Sequence, residues 1–287
     1  MTYQELYRKA CGILVEAGCR EAQADARQLL FYVADLDLSS YALRMNEKVP
    51  EDISMRYLET IARRSAREPI QYITGEAPFF GYTFYVTPAV LIPRFDTEIL
   101  VEEALRYVKP DSHILDLCTG SGCILLTILA ESRRKYGDAC EVRGTASDIS
   151  EDALSVAKCN DERLRTEANF ILSDLFNNIC GTYDIITTNP PYIPTEIVAG
   201  LEPEVRDHEP NLALDGKEDG LFFYRKIANE AGAYLREGGR LIMEIGFDQG
   251  EAVMQLLDKA GYTDVKCIKD LSGLDRVVMA VWQTYNK

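Results

Sequence analysis

The sequence predicts an α/β protein in which a mostly parallel sheet with an antiparallel edge follows a small N-terminal helical bundle and a β-hairpin linker. Three observations carry that reading. From His113 onward, short apolar and β-branched runs alternate with helical segments, as in a doubly wound sheet. The last two runs are separated only by Leu271-Ser272-Gly273-Leu274-Asp275, a turn that suits an antiparallel pair. Before residue 69 the apolar positions recur at helical spacing instead. The chain has 287 residues, more than one typical domain, and the expected units are 1–68, 69–93 and 94–287.

Three helices are expected first. Residues 2–18 place Leu6, Ala10, Ile13, Leu14 and Ala17 on one face, with Gly18 as the stop. Residues 20–35 do the same with Ala22, Ala26, Leu29, Leu30 and Val33, and residues 50–68 with Ile53, Tyr57, Leu58 and Ile61. Such a bundle either packs on the rest of the protein or presents a surface to a macromolecular substrate. The texture then changes: Ile70 to Gly75 and Phe79 to Val86 are aromatic and β-branched around Gly75 and Gly81, which suggests a short antiparallel hairpin. Leu91 to Glu98 leads into a helix from Ile99 to Val108, with Asp96 or Thr97 as its cap.

The next strands each end in residues that carry chemistry. His113–Cys118 reads as a buried strand, and Thr119-Gly120-Ser121-Gly122 as the turn into a helix from Cys123 to about Tyr136. Glycines there let backbone approach a ligand, and the helix start offers free N–H donors. A second strand, Cys140–Ser147, stops at Asp148, which is placed to accept from both hydroxyls of a ribose or to cap the helix of residues 150–160. A third, Asn169–Ser173, ends in Asp174-Leu175-Phe176: an acceptor for an adenine amine, with Leu175 or Phe176 to cover a ring face. A fourth, Tyr183–Thr187, ends in Thr188-Asn189-Pro190-Pro191-Tyr192, where proline stops the ladder and exposes one carboxamide, one carbonyl and one aromatic face. Together these can grip a planar NH2 group. After a loop, Pro194–Gly220, come a helix from Leu221 to Leu235, the strand Arg240–Ile245, the helix Gln249–Ala260 and the two late runs Tyr262–Ile268 and Arg276–Trp282.

Composition excludes several classes. Hydrophobic residues make up 47% of the chain, yet no apolar run approaches a membrane span of roughly 20 residues, and the start lacks a leader pattern, so a cytoplasmic location is expected. A net charge of −15 repels a phosphate backbone at long range. Eight cysteines are scattered without a C-x-x-C pair, and the two histidines, His113 and His208, lie far apart, so neither a metal centre nor a histidine-based triad is expected.

In this order, Asp116-Leu117-Cys118-Thr119-Gly120-Ser121-Gly122, Asp148 and Asn189-Pro190-Pro191-Tyr192 resemble the S-adenosylmethionine-dependent amino-methyltransferases. Glu68-Pro69-Ile70, Thr74-Gly75, Leu91-Ile92-Pro93-Arg94, Asp96-Thr97-Glu98, Glu209-Pro210 and Arg276-Val277 are similar, more narrowly, to the HemK/PrmC family of release-factor glutamine N5-methyltransferases. The resemblance implies a class I methyltransferase fold with a Rossmann-like, seven-stranded sheet. It implies S-adenosyl-L-methionine as cofactor, S-adenosyl-L-homocysteine as product and no metal. The implied cofactor-binding residues are Asp116, Cys118, Thr119, Gly120, Ser121, Gly122, Asp148, Asp174, Leu175 and Asn189. Asn189, Pro190, Pro191 and Tyr192 would bind the substrate, with Asn189, Pro190 and Tyr192 catalytic and the Tyr192 ring packed beside the amide plane. The implied partner is a class I peptide chain release factor, methylated on the glutamine of its Gly-Gly-Gln tip, by a monomer that needs neither nucleic acid nor membrane.

Two residues depart from the family pattern. Cys118 stands where glycine is usual, its side chain compatible with a strand-end conformation of negative φ but narrowing the approach to the cofactor, and Phe95 stands where proline is usual. The rival chemistry is an adenine N6-methyltransferase on DNA or RNA, which offers the same planar NH2 but calls for a basic groove. A non-catalytic adenosine-nucleotide sensor would need Asp148 but no amide clamp.

Overall fold

The computed structural model describes residues 1–283, apart from the side chain at position 138. One compact unit comprises Met1–Glu76 together with Glu202–His208. Its helices are α1 (Tyr3–Glu16), α2 (Ala22–Ala34), α3 (Leu38–Arg44), α4 (Glu51–Ser65) and α5 (Ile70–Thr74). The three expected helices are α1, α2 and α4, whose stripes meet in one core containing Leu6, Leu14, Leu29, Leu30, Tyr57 and Ile61. Thr2 starts α1 through a capping box: its hydroxyl accepts from Glu5 N–H at 3.2 Å, and the Glu5 carboxylate accepts from Thr2 N–H at 2.9 Å.

Two helices were not expected. Helix α3 buries no residue, so it has no apolar stripe to read; Asp37 and Ser40 begin it by exchanging side-chain and backbone hydrogen bonds. Helix α5 replaces the first arm of the expected hairpin. Ile70 and Ile73 turn into the bundle core, and Gly75, at φ 75°, closes the helix, so packing overrides the strand propensity of this run. The hairpin is shorter, formed by β1 (Glu76–Phe79) and β2 (Tyr82–Tyr85).

An ion-pair cluster joins Glu202–His208 to the rest of this unit. Arg64, only 6% exposed, donates to Asp25 at 2.8 Å and to Glu204 at 3.0 Å, and Arg67 also pairs with Glu204 at 2.5 Å. Burial pushes the Glu204 carboxyl upward, but the Arg67 and Arg64 hydrogen bonds outweigh it and bring the pKa down to about 2.

The second unit holds Ala77–Leu201 and the chain from Glu209 onward. In order it contains α6 (Glu98–Tyr107), β3 (His113–Leu117), α7 (Cys123–Tyr136), β4 (Arg143–Asp148), α8 (Glu151–Leu164), β5 (Asn169–Leu172), β6 (Tyr183–Thr188) and α9 (Thr195–Val198). The one-turn helix α10 (Pro203–Arg206) belongs to the helical unit, and α11 (Phe222–Glu230), β7 (Leu235–Glu244), α12 (Gly250–Ala260), β8 (Thr263–Lys269) and β9 (Asp275–Val281) complete the chain. The sheet has seven strands in the order β5-β4-β3-β6-β7-β9-β8. The first five run parallel and β9 pairs antiparallel with both neighbours, as expected. Successive residues face opposite sides. Leu115, Leu117, Ile186, Leu241 and Met243 pack with Tyr224 and Leu257, while Ile114, Ile185 and Ile242 pack with Leu100, Ile124 and Leu125.

Several boundaries differ from expectation. Strand β4 starts at Arg143 rather than Cys140, and the loop of residues 194–220 contains α9, α10 and a 3₁₀ turn at Asn211–Ala213. Strand β7 begins at Leu235, where a helix was expected to be ending, and its register against β6 shifts between Tyr183 and Ile185. Neither Asp96 nor Thr97 caps α6 with its side chain; a 3₁₀ turn at Phe95–Thr97 leads into the helix, and the Glu98 carboxylate accepts from Phe80 N–H at 2.7 Å.

Candidate active site

The carboxyl ends of β3, β4, β5 and β6 converge on a cavity of about 350 Å³, the size range of small-molecule sites. The turn after β3 forms its floor. Cys118, Thr119, Gly120 and Ser121 line it, followed by Gly122 at φ 80° as the N-cap of α7. Gly122 itself does not line the cavity. Gly120 holds φ 54° with open space where a Cβ would stand, so backbone and ligand can come close there. Asn160 of α8, 1% exposed, braces the turn by donating to the Ser121 carbonyl at 2.9 Å.

Cys118 corrects an expectation. Its φ is +55°, in the left-handed region, not negative. The family's usual glycine at this position therefore has a conformational reason, and cysteine holds the same backbone at a steric cost of roughly 1–2 kcal/mol. Burial pushes the Cys118 thiol well above its ordinary pKa, which keeps it protonated and a poor nucleophile.

Asp148 ends β4 at the cavity wall. Its Oδ2 accepts from Gly120 N–H at 2.9 Å and its Oδ1 from Ser150 N–H at 3.0 Å, so one carboxylate ties two strand ends together. Burial raises its pKa against these backbone bonds. Each oxygen keeps a further lone pair for a ligand hydroxyl. The two readings of Asp148 separate here, because the cap of α8 is Ser150, whose hydroxyl accepts from Ala153 N–H at 3.1 Å. Asp174 and Leu175 also line the cavity, Leu175 at φ 47°. Phe176 does not: it is buried and stacks on Tyr234 with ring centroids 4.7 Å apart.

Asp116 is displaced from its expected role. It is fully buried away from the cavity wall, accepting from the Thr119 hydroxyl at 2.6 Å and from the Thr187 hydroxyl at 2.7 Å. Burial pushes its pKa up to about 7 although both hydroxyls favour the charged form. It positions the glycine turn relative to β6.

Strand β6 delivers Asn189 and Pro191 to the cavity wall. The Asn189 carboxamide makes no hydrogen bond among the described residues, which leaves its oxygen and its NH2 for a ligand. Pro190 is buried and, like Tyr192, is absent from the wall. The Tyr192 ring packs against the core on one side of the sheet, and its hydroxyl lies 3.4 Å from Glu244 Oε1. The turn is held from behind. Gln249 Nε2 donates to the Tyr192 carbonyl at 3.0 Å, and Gly220 approaches that carbonyl so closely that no Cβ would fit.

Sequence reasoning missed other parts of the wall. Residues 88–91 with Pro93 and Arg94 supply one side, and the Arg94 guanidinium donates to buried Glu209 at 2.6 Å. Ile149, 52% exposed, follows Asp148, and Phe223 enters from α11. The exposed Ile149 directly after a strand-end acid was a legible signal; nothing in the local pattern marked Phe223. Phe95 is 71% exposed and lies outside the wall.

A nucleoside carrying a short polar arm suits this cavity. Gly120 and the start of α7 offer close backbone approach, Asp148 and Asp174 offer acceptors, and Ile149 and Leu175 offer apolar cover.

Residues 5–75 match the family model of the PrmC N-terminal domain, and residues 94–199 match that of the methyltransferase small domain. The chain is 42% identical over 282 residues to a release factor glutamine methyltransferase of Cereibacter sphaeroides, covering 98% of each. It is 40% identical over 273 residues to one from Agrobacterium fabrum, covering 92% of each. Among solved structures, a Thermus thermophilus 16S rRNA N2 G1207 methyltransferase in complex with AdoMet and guanosine aligns with a TM-score of 0.51 at 18% identity, over 72% of this chain and 50% of that one. At that identity the likeness speaks to fold alone, and the fold is that of the class I methyltransferases.

Proposed function

We propose, because the chain belongs to the release factor glutamine methyltransferase family, that it methylates the side-chain amide of the glutamine in the Gly-Gly-Gln tip of class I peptide chain release factors, and so acts on translation termination. The observation that carries the reading is Asn189, a carboxamide without a hydrogen-bond partner among the described residues, on the same cavity wall as the glycine turn and Asp148. S-adenosyl-L-methionine supplies the methyl group as an electrophilic carbon on a sulfonium, and Gly120, Ser121, Asp148, Asp174 and Leu175 would hold it.

An amide nitrogen is a poor nucleophile because its lone pair is delocalised. The Asn189 oxygen and the Pro190 carbonyl accept from its two N–H bonds, turn it toward the methyl group and support the positive charge that develops. No strong base is required, since the acidity of the methylated nitrogen lets a proton leave to water. Tyr192 contributes from the second layer rather than beside the amide plane. The reading calls for no metal. The helical unit of Met1–Glu76 and Glu202–His208 would recognise the release factor.

Transfer of labelled methyl from S-adenosyl-L-methionine to an unmodified release factor, mapped by mass to one glutamine, is the expected outcome. Label on nucleic acid and none on the release factor would sink the proposal. A second expectation concerns Cys118→Gly. Releasing the strained φ and removing the side chain from the cavity wall should tighten cofactor binding by about threefold, roughly 0.7 kcal/mol, as read by calorimetry. Weaker binding would show that the thiol is a favourable contact.

A further inference from the structure

We propose that Glu244 is a positioning residue for methyl transfer, whose buried carboxylate braces the Asn189–Tyr192 turn and stabilises the positive charge that the reacting nitrogen acquires. The inference rests on the function proposed above. It starts from register: Thr188 of β6 pairs with Met243 of β7, so Asn189 and Glu244 are the next residues of two adjacent strands at the carboxyl edge of the sheet. Glu244 is 1% exposed. Its Oε1 accepts from the Tyr192 hydroxyl at 3.4 Å, while its Oε2 is buried with no hydrogen-bond partner among the described residues.

The charges around it are unbalanced. Arg276 of β9 is the neighbouring cation, and it is already shared by Asp96 of the turn before α6 and by Asp270, each at 3.2 Å. Tyr192 and the Thr97 hydroxyl face Glu244 as well, and the Tyr224 hydroxyl of α11 donates to its backbone carbonyl at 2.9 Å. One guanidinium among three carboxylates leaves an excess of negative charge behind the wall that carries Asn189 and Thr97. Burial and the nearby Asp96 carboxylate raise the Glu244 pKa, and the Thr97 and Tyr192 hydroxyls and the Arg276 guanidinium, which favour the charged form, offset that rise only in part. A buried carboxylate without its own ion pair among the described residues is costly.

Methyl transfer supplies a partner. The amide lone pair forms the N–C bond, the S–C electron pair returns to sulfur, and the nitrogen is cationic until one N–H proton leaves to water. A fixed anion on the nitrogen side of the cavity favours that charge shift without reorganising.

Glu244→Gln tests the idea, because it keeps the shape and an acceptor for Tyr192 but removes the charge. The expected result is a kcat lowered by about tenfold or more, with KM for S-adenosyl-L-methionine unchanged and the unfolding temperature the same or higher. A readout without turnover uses a Gly-Gly-Gln peptide in which the glutamine amide is replaced by an amidine, its cationic isostere. Wild-type protein should bind the amidine peptide more tightly than the amide peptide, and Glu244→Gln should lose most of that preference. Wild-type kcat in the variant, or a preference that survives the substitution, overturns the proposal. If the variant does not fold, absence of an amidine preference in wild-type protein overturns it as well. A wild-type protein that binds the amidine peptide preferentially yet leaves release factors unmethylated would instead overturn the assigned function.

Discussion

Replacing Asn189 with alanine is expected to lower kcat for release-factor methylation by about 10²–10³-fold, the cost of removing one preorganised acceptor at a developing charge. Affinity for S-adenosyl-L-methionine should stay within a few-fold of wild type, because the glycine turn, Asp148 and Asp174 are left in place. Single-turnover transfer and cofactor titration separate the two effects. The asymmetry follows from the geometry. The Asn189 side chain has no hydrogen bond to lose among the described residues, so its removal does not unsettle the fold, and the turn behind it stays pinned by Gln249 at the Tyr192 carbonyl. Parallel losses of cofactor binding and turnover would count against Asn189 as the amide-orienting group.

Arg64→Leu should destabilise the helical unit by about 3–5 kcal/mol, the range for breaking a buried ion pair from one side. The substitution strands Asp25, 8% exposed, and deprives Glu204 of one of its two guanidinium partners. Chemical denaturation followed by circular dichroism reads the loss directly. The same cluster sets an acid limit. Glu204 has a folded-state pKa lowered from 4.5 to about 2, so its contribution is fully present above the unfolded value and is lost as pH falls through the folded one. Wild-type stability should therefore fall between about pH 4.5 and 2, and Glu204→Gln should flatten that part of the curve. An unchanged acid limb in Glu204→Gln would mean that other carboxylates control it.

Most of the sheet was legible in the sequence because buried parallel strands read as short apolar runs and their ends as breaks in that pattern. The glycine turn, Asp148, Asp174 with Leu175, and Asn189 all came from that rule, and the cavity brings them together. The rule failed where two demands compete within one segment. Ile70 and Ile73 look like strand residues but pack into the bundle from a helix, and Asp116 looks like a ligand but is consumed by Thr119 and Thr187. Tyr192 packs against the core and is absent from the cavity wall, which the pattern did not show for a related reason: alternation along a chain does not say whether an aromatic ring after a double proline turns to the cavity or to the core.

What the sequence determined by itself was the set of residues at the strand ends: a carboxamide, two prolines and an aromatic downstream of a glycine turn and an acid, a set suited to gripping an NH2 group beside a nucleoside. Only the tertiary structure decided which of these groups line the cavity and which stand behind its wall. The left-handed backbone of Cys118, the absence of an ion pair at Glu244 and the capture of Glu204 by Arg64 and Arg67 all depend on residues far apart in the chain. Electrostatic and packing terms at such positions are set by neighbours in space, and a linear pattern carries no distance between them.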